Sequence, residues 1–392
     1  MKAQNKARFI LGLRGYGAML FSIAASPVLH SAGVSFKTIS IGFGFLYVVL
    51  AMFEIPTGIW ADLFGAKKSS IIGGFIQSLA VCLFVFSTKS SLLVVGAFTL
   101  YGVGSSFISG ALSSLLYSNS KDDDGNCFDS SKYFSLIEKS SVASYVLASA
   151  SVGFLTKWYG LNSFLFASFV FFISTIILVL NIHEDKKIAK HKTLSQFFDT
   201  AKTGLGFIGN NKGLKLLVPV RMLNQVETIL GVLWLPWISK LGGSELWFSV
   251  MATGSYFSRY VVNHYYAKKA KPDSYYPRIM NSVAIMVIGT TICALSSNIY
   301  TALIGVWLMA GARGVFLPAN QAIMHDSFPE TIQATGLSMM NFIFEVFVAI
   351  GFFGSSFFVD HLQANTAWWI SAASFLISIV LILVYKGKLN EN

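Results

Sequence analysis

Seven charged side chains stand where charge is expensive. Arg14, Glu54, Arg221, Glu227, Arg259, Arg313 and Glu345 each fall inside a long apolar run of this 392-residue chain. An unpaired charge in hydrocarbon costs at least about 2.5 to 3.5 kcal/mol on insertion scales, so such residues are expected to pair or to serve a substrate or ion path. A carboxylate in a low-dielectric setting can carry a proton near neutrality. Arginine keeps its charge and so attracts an anion or resets a protonated acid. The set therefore points to substrate binding or proton coupling. Counting about 1.5 Å per residue, Glu54 lies roughly 12 Å deeper than Asp62, and Arg14 roughly 9 Å deeper than Arg8, so Arg14 and Glu54 are expected to pair. Arg313 and Glu345 each fall about 14 residues from a run's end, near mid-membrane, where a pair could serve coupling or only bridge two helices. Glu345 is the first expectation for a proton carrier.

The elements that hold these groups follow from composition. Hydrophobic residues make up 54% of the chain and charged ones 12%, with 35 Phe, against about a quarter charged in a soluble domain. This is a membrane chain, and an all-α one. Runs of the roughly 20 apolar residues a spanning helix needs fall at about 9 to 31, 38 to 61, 69 to 87, 91 to 118, 133 to 156, 161 to 182, 213 to 238, 245 to 267, 278 to 296, 298 to 324, 331 to 358 and 365 to 385, twelve in all. The first follows Lys2, Lys6 and Arg8 and reads as a retained helix, being longer than a signal-peptide core. Twelve spans put both termini on one side. That side carries 20 Lys and Arg in its loops and tails, the other only Lys37, Lys89, Lys157 and Lys240, so the termini are expected in the cytoplasm of a multi-pass cell-membrane protein, the inner membrane in a Gram-negative cell.

The net charge of +11 is thus a topology signal, and its dispersal over short loops excludes a nucleic-acid partner. Cys82, Cys127 and Cys293 form no CxxC pair, which supports neither disulfide nor thiolate metal chemistry. "KDDDGNCFDSSK" lacks the ligand pattern of a calcium loop. No cofactor or metal is expected. His30, His264, His325 and His361 fall at run ends as wet interfacial residues, Trp234, Trp237, Trp247, Trp368 and Trp369 read as an interfacial belt, and Tyr256, Phe257 and Tyr260 beside Arg259 are candidates to line a cavity.

One long polar segment splits the chain into an N-terminal bundle (1–182), a linker (183–212) and a C-terminal bundle (213–392). The halves repeat. Arg8 and Arg14 recur as Lys215 and Arg221 at an offset of 207, and "LYGVGSSFISGALSSLLYSN" lies over "LMAGARGVFLPANQAIMHDS" at 208 with small residues in register. Six spans return the chain to its starting side, so the copies are parallel repeats, an arrangement that places a substrate site near mid-membrane.

At the end of the second run, Gly58 to Lys68 reads "GIWADLFGAKK": a glycine, an acid four later, a glycine three later, then lysines. This resembles the signature loop of the major facilitator superfamily, in its required place between the second and third of twelve spans on the basic side. "SGALSSLLYS" after an "EIPTG" second span looks like bacterial exporters of that family. The resemblance implies gating by Gly58, Asp62, Gly65, Lys67 and Lys68, with Asp62 pairing nearby basic groups and the start of the eleventh helix to latch the cytoplasmic side. The physics is consistent, since a carboxylate is stabilised at a helix N-terminus and glycines permit close approach. The counterpart "YAKKAKPDSYYPR" lacks the G-x-x-x-D frame, so an asymmetric latch is expected, and "SVASYVLASASVGFL" lacks the glycine-proline signature of drug-proton antiporters.

The expectation is a secondary transporter, not an enzyme: a monomer in lipid that exports a small organic molecule against proton entry. Proton-coupled uptake is the alternative, and a non-transporting receptor a third. No G-x-x-x-x-G-K-[ST] loop supports direct ATP use.

Overall fold

In lipid a backbone polar group has no water to turn to, so a spanning run must satisfy its own hydrogen bonds as helix. The computed structural model describes residues 3–86, 90–118, 140–152, 160, 162–182, 184, 206–269, 275–328, 333–357, 361 and 363–390, almost all helical and with no strand among them. The first four spans are Ala3–Ser31, Phe36–Phe64, Ala66–Phe86 and Ser91–Ser118. Of the fifth, Ser140–Val152 is described, and the sixth is Asn162–Leu180. In the second half Glu245–Lys269, Tyr275–Leu295, Ile299–Ser327, Gln333–Ser355 and Ala364–Asn390 are the eighth to twelfth. Among the described residues, nine stretches are long and apolar enough to cross a membrane. The eighth span is not one of them because Glu245, Arg259, His264, Lys268 and Lys269 dilute it. The acidic segment at 121–132 and most of the 183–212 linker fall outside the described residues.

The seventh span departs from the continuous helix expected over 213 to 238. Lys212–Leu223 ends at Asn224, a single turn Val226–Ile229 follows, then a 3-10 turn Leu230–Leu233, then Trp234–Lys240. Pro219 and Pro236 lie inside the flanking helices and do not mark the break at Asn224–Gln225. Side chains of the tenth span do, as shown below.

The chain divides into two compact units, Met1–Lys192 and Thr193–Asn392, packed alike. In the first, the third span packs on the fourth and sixth, and the second on the fourth; in the second, the ninth packs on the tenth and twelfth, and the eighth on the tenth. Glycine makes the tightest of these contacts possible in both. A Cβ on Gly73 would stand 2.6 Å from the Gly104 carbonyl oxygen, and one on Gly289 would stand 2.7 Å from that of Gly305. Backbones that close leave no room for a methyl group. Each unit thus repeats the packing plan of the other.

Two tryptophans leave the interfacial belt expected of them. Trp237 and Trp368 are 0% and 2% exposed, with ring centroids 4.7 Å apart, and Trp234 stacks on Trp368 at 5.5 Å. They fill the core beside the broken seventh span, where aromatic area substitutes for the packing that a regular helix would supply. Trp369, 47% exposed, does face outward.

Candidate functional site

Where a helix stops, its last carbonyls lose their partners, and where one starts, its first N–H groups do. The break at Asn224 sets both kinds of end inside the second unit. Arg313, from the middle of the tenth span, reaches into it. Its Nη2 donates to the Asn224 carbonyl at 2.9 Å, its Nη1 faces the Thr228 hydroxyl oxygen at 3.4 Å, and its guanidinium forms an ion pair with Glu227. The cation thus sits at a helix C-terminus and the anion in the first turn of the next segment, each at the end that favours its sign. Glu227 is 2% exposed and Arg313 22%. The carboxylate also borders a tight cleft lined by Leu230, Leu233, Trp234, Ala367, Trp368 and Ser371.

A second arginine on the same seam is held differently. Arg221 closes the first segment of the seventh span, its Nη1 donating to Asn320 Oδ1 at 3.4 Å and approaching Met324 Sδ at 3.9 Å. Its guanidinium carbon lies 4.2 Å from the centre of the Phe344 ring. No carboxylate among the described residues reaches it, and its Nε is buried without a hydrogen-bond partner, as is Asn320 Nδ2.

In the first unit Arg14 is the equivalent residue. The phenols of Tyr101 and Tyr145 are near it. It lines a narrow cleft with Ser70, Gln77 and Thr175, where Gln77 donates through Nε2 to Ser105 Oγ at 2.7 Å. Among the described residues no ion pair joins Arg14 to Glu54, which sits partly exposed on the second span and makes a contact of its own. The structure gives Arg313 to Glu227 and not to Glu345. Arg259 and Glu345 make contacts of their own, and the Arg259 carbonyl oxygen packs so tightly on the tenth span that a Cβ on Gly314 would stand 2.7 Å from it. Phe257 and Tyr260, beside Arg259, are exposed.

The loop after the second span is held by its own unit. Gly65 ends that helix at φ +104 and its N–H returns to the Ala61 carbonyl, a backbone conformation glycine adopts without strain. Glu184, just past the sixth span, accepts from the Lys67 backbone N–H at 3.1 Å. Lys67 Nζ in turn donates to the Leu180 and Ile182 carbonyls at 2.8 and 2.7 Å. Carboxylate meets the N-terminus of the third span and ammonium the C-terminus of the sixth, so both helix ends are satisfied with the sign they prefer. Lys68 and Gly58 are exposed, Gly58 with nothing within 4 Å of a would-be Cβ. Asp62 lies in the last turn of the second span, its side chain outside what is described.

Sequence reading missed Asn224, Asn320 and Phe344 because polar amides and a phenylalanine in apolar runs carry no signal of their own. Glu184 left a weak one, an acid at the membrane edge beside lysines on the basic side. Among the described residues no group of three or more His, Cys, Asp or Glu is placed to hold a metal ion.

The family model for the major facilitator superfamily matches residues 9–275 and 277–391. No curated protein sequence matches the chain. Similar solved structures include the nucleoside transporter NupG, with 13% identity over 99% of this chain and 99% of that one and a TM-score of 0.77. An auto-inhibited peptide transporter of the POT family has 10% identity, coverage of 99% and 97%, and a TM-score of 0.76. The human organic anion transporter MFSD10 has 11% identity, coverage of 97% and 98%, and a TM-score of 0.67. At such identities the likeness is one of fold.

Proposed function

This chain belongs to the major facilitator superfamily, and from that premise we propose that it carries a small organic solute across the cell membrane by alternating access, coupled to proton movement, with export as the direction. Both termini are cytoplasmic in this reading, which rests on the one-sided distribution of Lys and Arg. The observation that carries the coupling is the Glu227–Arg313 ion pair at the break of the seventh span. A buried carboxylate held by one arginine has two states: deprotonated while the cation is near, protonated once it is withdrawn, since an uncompensated buried charge is too costly to keep. A broken helix supplies the movable end that such a switch requires. Glu227 joins Glu345 as a candidate proton carrier in this reading, on the strength of its ion pair with Arg313.

Glu227→Gln mimics the protonated state and should keep energy-independent counterflow in proteoliposomes while losing accumulation driven by a pH gradient. Uphill transport by this variant on a pH gradient alone would sink proton coupling through Glu227. Uptake is the second reading. What favours it is that the similar structures include nucleoside and peptide transporters, against an export reading drawn from the "EIPTG" and "SGALSSLLYS" segments.

A further inference from the structure

Of the two arginines on the seam between the seventh and tenth spans, one has a counter-charge and the other has none among the described residues. Arg313 is neutralised by Glu227. Arg221 has only neutral company among the described residues: the Asn320 amide oxygen, the Met324 sulfur and the Phe344 ring. A guanidinium set against an apolar core without a carboxylate carries a desolvation cost that its neutral neighbours repay only in part. Asn320, 0% exposed, turns its oxygen to Arg221 and leaves its Nδ2 donor buried and unpartnered, and the Arg221 Nε donor is unpartnered as well. Both unused groups are donors, and arginine has no acceptor to offer.

Donors beside an uncompensated positive charge select an acceptor that is negatively charged. We propose that Arg221 and Asn320 bind an oxyanion, a carboxylate or phosphate group, and that the transported solute is the molecule that carries it. The guanidinium supplies charge and a planar set of donors suited to an oxyanion. Asn320 supplies a neutral donor at a fixed place, and Phe344 holds the guanidinium plane from its face. Arg221 as a whole keeps partial exposure, while its Nε is buried. The first unit repeats the motif in outline, Arg14 at the equivalent position also having a buried Nε without a partner.

The site reading stands on the geometry of the second unit, and its last clause rests on the transport reading, so the experiment separates them. The full-length chain is purified in detergent and its thermal midpoint titrated with benzoate against benzamide and with glycerol 3-phosphate against glycerol. Saturable stabilisation by an anion and not by its neutral partner is expected, with apparent affinity weakened roughly ten- to hundredfold in Arg221→Gln and partly restored in Arg221→Lys. Asn320→Leu removes the second donor and should weaken binding even if Arg221→Gln does not fold. Failure of both anions to stabilise the wild type, or equal stabilisation of either variant, overturns the proposal. The same probes are then offered to proteoliposomes. Anion binding without flux leaves the site standing and sinks transport, whereas flux of neutral members alone, unaltered in Arg221→Gln, does the reverse.

Discussion

The two six-helix units share a packing plan and differ in what they do with charge. By the offsets that align the halves, the position of Glu227 is Leu20 in the first unit and that of Arg313 is Ser105. Leu20 is a core residue, and the Ser105 hydroxyl merely accepts from Gln77. The first span accordingly runs unbroken from Ala3 to Ser31, while the seventh stops at Asn224. A repeat copies backbone packing readily, because packing depends on small residues in register. It does not copy an ion pair, which needs two particular side chains at once. At the edge of the first unit, Lys67 and Glu184 tie the third span to the sixth.

The largest effect that tests this contrast is loss of Arg313. Arg313→Met leaves Glu227 buried without its cation and should destabilise the protein by about 3 to 5 kcal/mol, with Glu227→Gln added in the same chain recovering most of it. Arg14→Met, which orphans no carboxylate, should shift the thermal midpoint far less. Equal losses at the two sites would mean that the first unit hides a charge partner of equal weight.

A smaller effect tests the shared plan. Gly73→Ala and Gly289→Ala each push a methyl group onto a carbonyl in the facing helix and should cost about 1 to 3 kcal/mol apiece, read as matched falls in thermal midpoint. A large fall in one with none in the other would show that the two units do not depend on the same contact.

The smallest concerns the edge of the first unit. Glu184→Gln removes the charge at the N-terminus of the third span, and Lys67→Met the one at the C-terminus of the sixth. Each should cost about 1 kcal/mol or less, because both groups are partly exposed and screened. The loss should shrink in high salt, where screening weakens the dipole interaction. Salt-independent losses would point to packing by the side-chain stems instead.

Much of this molecule was legible in one dimension, for stated reasons. Helix content and span number follow from run length, because a bilayer admits few alternatives to a helix of about 20 apolar residues. The repeat was visible in the recurrence of Arg14 as Arg221 and in the small residues of the fourth and tenth spans. The charged positions were legible too, since Arg313 and Glu227 stand out in any apolar run. What could not be read was who meets whom. Depth along the sequence put Arg313 with Glu345 and Arg14 with Glu54, but depth is one coordinate and a contact needs three. Rotation of each helix about its axis turned Arg313 to the seventh span. The break at Asn224 was hidden for a related reason, since no proline or glycine announces it and the carbonyl it frees is satisfied by a side chain 89 residues away. Sequence alone determined that this chain is a duplicated helical membrane protein with charge inside it, because hydropathy and length are local properties. Only the tertiary structure decided that Arg313 is neutralised by Glu227 while Arg221 meets no carboxylate among the described residues, because a counter-charge is a property of the neighbours that folding supplies.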